Sequence, residues 1–391
     1  MYRRSLLETL WAQERTVGVN NLGNTCFVNA VMQVFARLDP LARMLAGHRH
    51  RMRREGCVVC FLKEDLRLLR LGAQAVADGR PLARSLVALA ARRGLLRRQG
   101  AQENAFGGDA GTGAGPQCDA WEFCEAVWEK VLRWESDQTL NLLRGASEED
   151  RARVAARSVL GEYVWGGLVR SRVRCSRCEG ASDALAQAVF LELNLPGEEV
   201  RVYRSLRALY EYHMSETRGR DTRCPLGCEG LAYTQRFLER EPPVLFLRLL
   251  RFNTVLDQAT GAYEEVRLDR LVDIPEKIDF LRSGEYHFAG AVLHHGAQSV
   301  RGGHYTALCW EGAAGGADGY RFYNDGGVGA LQPWAQACRV AGLHRDAYLL
   351  VYTRVKFWGD AVGDGSEATP YVRDPESVRV AKALFRGDRR V

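Results

Sequence analysis

Apolar and polar positions divide the 391-residue chain into two textures. Up to about residue 160, apolar residues recur at three- and four-residue spacing, which predicts helices. FLKEDLRLLRLGAQAVADG, PLARSLVALAARRG and DAWEFCEAVWEKVLRWES are the clearest cases. In NNLGNTCFVNAVMQVFARL (20–38), Phe27, Val31, Val34, Phe35 and Leu38 form one face of a predicted buried helix. From about residue 161, short strand-like runs take over: YVWGGLVRSRVRC, VFLELNL, PVLFLRLLRF, YHFAGAVLHHG, HYTALCWEG, YRFYND and AYLLVYTRV. Gly, Asp, Asn and Pro punctuate them, as in an antiparallel β region. Helices followed by strands predict an α+β fold, with a helical subdomain beside a β subdomain and a cleft between them.

Two stretches fall outside this pattern. NAFGGDAGTGAGPQ (104–117) is glycine-rich, but no strand precedes it and no Gly-Lys-Ser/Thr follows. It reads as a surface loop, not a phosphate cradle. After Val355 the chain turns polar, then ends in a short predicted helix, DPESVRVAKALFRG, with Asp374 as N-cap and Pro375 at its first position.

Composition narrows the classes. At 46% hydrophobic and 26% charged residues the chain can build a globular core. Its net charge of +6 is small for the length, and the basic residues are spread along it, which argues against a nucleic-acid face. RSRVRCSR is the one stretch in favour of such a face, as part of a zinc-ribbon module. No run of about 18 apolar residues is present, so no membrane helix is expected. MYRRSLLETLWAQERT lacks a signal-peptide core. The expected location is therefore intracellular, cytoplasmic and/or nuclear, with the eleven cysteines reduced.

The cysteines carry most of the candidate chemistry. Cys175-x2-Cys178 and Cys224-x3-Cys228 are two close pairs on tight turns, the spacing that tetrahedral zinc requires. Four thiolates leave no open position, so this zinc would be structural, at the tip of a β arm. Cys57-x2-Cys60 lies near His48 and His50, but Cys60 also begins a helical pattern, and this pair is not assigned to a metal. Cys26 falls in the first turn of its helix, with Thr25 or Asn24 as N-cap, where free N–H groups and the dipole favour a thiolate. A cysteine nucleophile needs a base, and His304 in RGGHYTALCW sits at the start of a strand-like run. The next run ends in Asn324 and Asp325, and a hairpin would bring either beside His304 to fix its tautomer. His294 and His295 are competitors for the role of base.

These residues resemble a known family. VGVNNLGNTCFVNAVMQVF is similar to the cysteine box of the ubiquitin-specific proteases, and LHHGAQSVRGGHYTA with YRFYND to their histidine box. QCDAWEF (117–123), the two cysteine pairs and AYLLVYTR (347–354) match further motifs in the same order. The resemblance implies a papain-like cysteine protease fold with a helical thumb, a β-sheet palm and zinc-tipped β fingers. Residues 1–16 would be an N-terminal extension and 17–354 the catalytic domain. Within it the thumb would cover about 17–160 and the palm and fingers about 161–354, followed by a tail over 355–391.

The implied activity is hydrolysis of the isopeptide or peptide bond after the C-terminal Gly of ubiquitin, with ubiquitin and ubiquitinated proteins as partners. Cys26 would be the nucleophile, His304 the general base and then acid, and Asn324 the third catalytic residue, with Asp325 able to share its role. Asn21 matches the side-chain donor of the oxyanion hole. Gln117, Asp119 and Glu122 match the helix facing the ubiquitin tail, and Gly302 and Gly303 the narrow channel for its Gly-Gly end. Two departures are Cys118, where the family usually has an acidic or amide residue, and the arginine in SVRGG. Three other readings compete: a silent ubiquitin-binding scaffold, the zinc-ribbon nucleic-acid module, and a protease for a ubiquitin-like modifier.

Overall fold

A computed structural model describes residues 17–21, 24–38, 41–42, 45, 58–71, 119–142, 145, 147–149, 167–195, 204–215, 217–224, 226–228, 230–256, 261–296, 299, 302–311 and 319–354. The helices predicted over 81–94 and 374–387 lie outside these residues. So do the glycine-rich stretch, Gln117, Cys118, Cys57, His48 and His50, the N-terminal extension and the C-terminal tail.

Helix α1 spans Cys26–Arg37 and is buried from Cys26 through Ala36, so it is enclosed on every side and not only along its apolar stripe. Helices α2 (Val58–Leu71) and α3 (Ala120–Leu142) pack against it. Together they cover one face of a sheet whose order is β13-β12-β11-β10-β14-β6-β3. Its strands are β3 (Phe190–Asn194), β6 (Val244–Leu250), β10 (Tyr286–His295), β11 (His304–Glu311), β12 (Gly319–Asn324), β13 (Gly327–Leu331) and β14 (Ala347–Arg354). Short β9 (Lys277–Ile278) adds to β10. All pairs are antiparallel except β3 with β6.

The sheet is covered on both faces, which explains why AYLLVYTR is nearly continuous in apolar residues. Tyr348, Leu349 and Val351 join the core under the helices, whereas Ala347, Leu350 and Tyr352 join a second core. Helices α4 (Leu206–Met214) and α5 (Trp334–Ala341) close that second core, and α6 (Leu343–Asp346) leads into β14.

A second sheet, β2-β1-β5-β4, is built from β1 (Gly167–Cys175), β2 (Ala181–Ala188), β4 (Thr217–Arg223) and β5 (Leu231–Arg240). Both cysteine pairs sit on its turns, between β1 and β2 and between β4 and β5. The α+β order expected from the sequence is present, with the papain-like division into thumb, palm and fingers.

One strand differs from its sequence pattern. PVLFLRLLRF reads as a single run, yet it breaks at Arg251 between β6 and β7 (Phe252–Leu256), which pairs with β8 (Tyr263–Arg267). The Arg251 guanidinium turns inward, fully buried, and donates to the carbonyls of Ala347, Leu268, Arg270 and His344. Satisfying a buried cation with carbonyls requires the backbone to leave the ladder there. Burial and the nearby Arg267 lower its pKa to about 10.

Candidate active site

Cys26 begins α1 beneath the mouth of the β11–β12 hairpin. Its helix is not capped as expected, because Thr25 makes no side-chain cap bond and Asn24 adopts a left-handed φ of 55°. Instead the Asn21 carbonyl oxygen Oδ1 accepts from both the Thr25 backbone N–H and its hydroxyl, each at 3.1 Å. The Cys26 loop is thus pinned by Asn21 from outside the helix.

His304 opens β11, and the register places it opposite His295 on β10. Asn324 closes β12 and accepts at Oδ1 from His304 Nε2, 2.7 Å away. The imidazole is also hydrogen-bonded to Cys26. That bond is the first cause of a His304 pKa raised to about 9; burial opposes it, and Asn324 and the Asp325 charge support it. Cys26 is buried and His304 half-buried, so the pair meets solvent on the imidazole side. Cysteine, imidazole and carboxamide in series form the arrangement that nucleophilic thiol chemistry uses.

Asp325 stands apart from that series. Its Oδ2 is 3.8 Å from His304 Nε2 but accepts from the Asn21 side-chain amide at 3.0 Å. Its Oδ1 accepts from Asn29 Nδ2 at 2.8 Å, and its backbone carbonyl accepts from Val19 N at 2.8 Å. The chain before Cys26 therefore clasps the hairpin turn after Asn324. The clasp is tight enough that a Cβ on Gly18 would sit 2.4 Å from the Gly326 carbonyl oxygen.

Sequence reasoning missed the polar stripe that builds this clasp. Asn29, Gln33 and Arg37 recur every four residues along a helix otherwise read by its apolar face. Asn29 also donates to the Val19 carbonyl and Gln33 to that of Val17. Arg37 bonds Glu311 and Tyr323 on the neighbouring strands. The four-residue spacing of three polar side chains inside a buried helix was the available signal.

The motif at the start of α3 divides. Asp119 is buried: Oδ1 accepts from Trp121 N at 2.8 Å, which caps the helix, and Oδ2 accepts from the Tyr348 hydroxyl at 2.8 Å. Glu122, one turn on, is exposed. Gly302 and Gly303 lead directly into His304, with Gly303 at φ 74°. Of the competing histidines, His294 is buried against the Gly302 carbonyl and His295 bonds Asp346 and Thr306.

The four cysteines of the finger turns converge. Their Sγ atoms all lie within 4.8 Å of one another, so the group could hold a metal ion. Backbone N–H groups of Arg177, Leu226 and Gly230 donate to three of the sulfurs, as in thiolate-bearing knuckles. Among the described residues no helix is long and apolar enough to cross a membrane.

Known proteins share both the sequence pattern and the fold of this chain. Relatives include ubiquitin carboxyl-terminal hydrolase 36 of Drosophila melanogaster, 26% identical over 83% of this chain and 29% of that protein. Human ubiquitin carboxyl-terminal hydrolase 42 is 27% identical over 75% of this chain and 20% of that protein. The chain thus spans less than a third of the length of these relatives. The fold also matches the SAGA deubiquitinating module of Ubp8, Sgf11, Sus1 and Sgf73 solved with monoubiquitin. The TM-score is 0.63 at 18% identity, over 88% of this chain and 70% of that one. The same module bound to ubiquitin aldehyde matches with a TM-score of 0.62, also at 18% identity, over 88% and 70% of the two chains. The profile of the ubiquitin carboxyl-terminal hydrolases matches residues 17–352, nearly the whole of the described fold, and the chain belongs to that family.

Proposed function

We propose that the chain is a deubiquitinase that hydrolyses the bond after the C-terminal Gly of ubiquitin by thiol catalysis. The carrying observation is the imidazole of His304, bonded to Asn324 Oδ1 at 2.7 Å and coupled to Cys26, whose hydrogen bond is the first cause of its raised pKa. Cys26 Sγ attacks the glycine carbonyl carbon as His304 holds the thiol proton. The Cys26 backbone N–H and the Asn21 amide stabilise the oxyanion, and Asp325 fixes the direction of that amide. Collapse breaks the C–N bond, and His304 gives its proton to the departing lysine amine. Water then adds to the thioester, His304 takes its proton, and the ubiquitin carboxylate leaves as the thiol is restored. Asn324 keeps the imidazole aimed at sulfur throughout.

Glu122 at the exposed start of α3 suits an arginine-bearing tail, and Gly302 and Gly303 suit a passage too narrow for side chains. Ubiquitin and its conjugates are the partners this reading assigns. Monoubiquitin in the similar Ubp8 module supports that choice over a ubiquitin-like modifier. The location is intracellular, cytoplasmic and/or nuclear, where a catalytic thiol stays reduced.

Structural zinc is the metal this reading gives the fingers. With Zn–S near 2.3 Å, a tetrahedron sets its sulfurs about 3.8 Å apart. The Cys175–Cys228 and Cys178–Cys224 separations of 3.4 and 3.5 Å, with all four sulfurs inside 4.8 Å, are of that size. Zinc there would cross-link the two finger turns and take no part in hydrolysis.

The test is ubiquitin bearing a C-terminal electrophile, with the products read by intact mass. The wild type should form one covalent adduct and Cys26→Ser none, while Cys26→Ser still binds ubiquitin. A folded, metal-loaded wild type that forms no adduct would overturn the reading in favour of a silent scaffold or another modifier.

A further inference from the structure

The β10–β11 connection leaves at Gly296 and returns at Gly303, where a Cβ on Gly296 would lie 3.8 Å from the Gly303 Cα. Two buried side chains grip its two feet. His294 Nε2 is 2.8 Å from the Gly302 carbonyl oxygen, and Arg267 Nη1 donates to the Gly296 carbonyl oxygen at 2.8 Å. A carbonyl can only accept, so the His294 proton resides on Nε2 and the ring donates.

The remaining nitrogen, His294 Nδ1, is buried with no hydrogen-bond partner among the described residues. Leaving such an atom unpaired is a cost that a phenylalanine or leucine would avoid. Packing alone therefore does not account for a histidine at this position. Its ring is locked edge-on between Phe252 and Tyr305, with centroids 5.1 and 4.7 Å away. The glycine pair lies against it, because a Cβ on Gly303 would come 3.1 Å from His294 Cε1 and 2.3 Å from the His295 carbonyl oxygen.

Arg267 is anchored in turn. Its Nη2 pairs with Asp346 Oδ1 at 2.6 Å, and Asp346 Oδ2 accepts from His295 Nδ1 at 3.0 Å. His295 Nε2 then accepts from the Thr306 hydroxyl at 2.7 Å, two residues beyond His304 on β11. The strand register, the Gly296 foot and the Gly302 foot are all fixed by side chains outside the catalytic series.

We propose that His294 and Arg267 are positioning residues that set the His304 imidazole against Cys26 by clamping the two feet of the 296–303 connection. Neither touches the reacting atoms. Gly302 is one peptide removed from Gly303, whose carbonyl carbon carries the His304 backbone, so a lost grip on Gly302 passes directly to the base. This inference rests on the reading of His304 as the general base of Cys26.

Gln and Asn at position 294 separate the alternatives. Gln places an amide N–H where His Nε2 stands, whereas the shorter Asn cannot reach the Gly302 carbonyl. Steady-state cleavage of a fluorogenic ubiquitin amide, with hydrogen exchange across 302–306, is measured for wild type, His294→Gln, His294→Asn and Arg267→Gln. We expect His294→Asn and Arg267→Gln to lose roughly tenfold or more in kcat with KM changed less than about twofold, and 302–306 to exchange faster. His294→Gln should recover most of kcat. Equal kcat for His294→Gln and His294→Asn would overturn the clamp, as would a loss expressed in KM alone. A wild type with no Cys26-dependent cleavage would instead overturn the assignment of the base.

Discussion

Asn324 and not Asp325 is the hydrogen-bond partner of His304: Asn324 Oδ1 lies 2.7 Å from Nε2, against 3.8 Å for Asp325 Oδ2. Both residues follow from one strand end, yet they do different work. Asn324 holds the ring, and Asp325 holds Asn21 and Asn29, which shape the loop before Cys26. Asn324→Ala should lower kcat by about tenfold or more while leaving the thermal midpoint near that of wild type. Asp325→Ala should lower kcat and stability together, because the exposed Asn21 amide loses the acceptor that orients it and the buried Asn29 amide loses one of its acceptors. Steady-state kinetics beside thermal unfolding separates the two, and equal profiles would contradict this division of labour.

The pairing with Cys26 has a signature in the titration of His304. Its pKa of about 9 arises first from the hydrogen bond to Cys26, then from Asn324 and the charges of Cys26 and Asp325, against burial. The folded value lies above the ordinary value of about 6.5, so this interaction stabilises the fold fully below that pH and is lost as pH rises through 9. Removing the sulfur in Cys26→Ala leaves burial opposed only by the weaker partners, and the pKa should fall. The ring resonances of His304, followed by NMR from pH 5 to 10, should show it. An unchanged titration in Cys26→Ala would mean that the two side chains are not coupled.

Several elements could be read from the chain because their pattern is local. The apolar spacing after Cys26 marks α1, and alternation or continuous apolar runs mark β10, β11 and β14. The converging cysteines were legible from spacing alone. What was hidden depends on partners distant in sequence. Thr25 looks like an N-cap, but Asn21 competes successfully for its hydroxyl and amide. Arg251 looks like a charged residue within a strand, and nothing nearby reveals the four carbonyls that draw it inward. The division of Asn324 from Asp325 turns on a left-handed φ of 48° at Asp325, a turn geometry that apolar patterning does not encode.

The finger turns should behave as a unit separable from the palm. The sheet β2-β1-β5-β4 carries all four cysteines at its turns, while the catalytic strands belong to the other sheet, on which α1 packs. Cys175→Ala should abolish one equivalent of zinc per chain and speed hydrogen exchange over 167–188 and 231–240. Exchange in β10, β11 and β14 should change little. Reaction of Cys26 with a small alkylating agent should persist, whereas capture of whole ubiquitin should weaken. Full metal content in Cys175→Ala, measured by elemental analysis, would remove the four-cysteine site.

Asp119 offers a test of whether the motif at the start of α3 serves the fold or the substrate. Burial raises its pKa to about 6, opposed by the Trp121 N–H, by Arg248 and by the Tyr348 hydroxyl. The folded value exceeds the unfolded value of 3.8, so the group's favourable contribution is complete below 3.8 and declines as pH rises through 6. Over that window it amounts to about 3 kcal/mol. Asn is neutral at every pH, and its Oδ1 can still cap Trp121, so Asp119→Asn should remove this decline and equal or exceed wild-type stability at pH 8. Asp119→Ala should instead lose about 1 kcal/mol for the cap, with a further 1–3 kcal/mol for the stranded Tyr348 hydroxyl. Denaturant unfolding at pH 4.5 and pH 8 measures both. If the carboxylate serves only the fold, Asp119→Asn should leave KM for a ubiquitin substrate within about twofold, whereas Glu122→Gln on the exposed turn should raise it. A large rise in KM for Asp119→Asn, with stability unchanged, would show that the carboxylate turns outward to meet the ubiquitin tail.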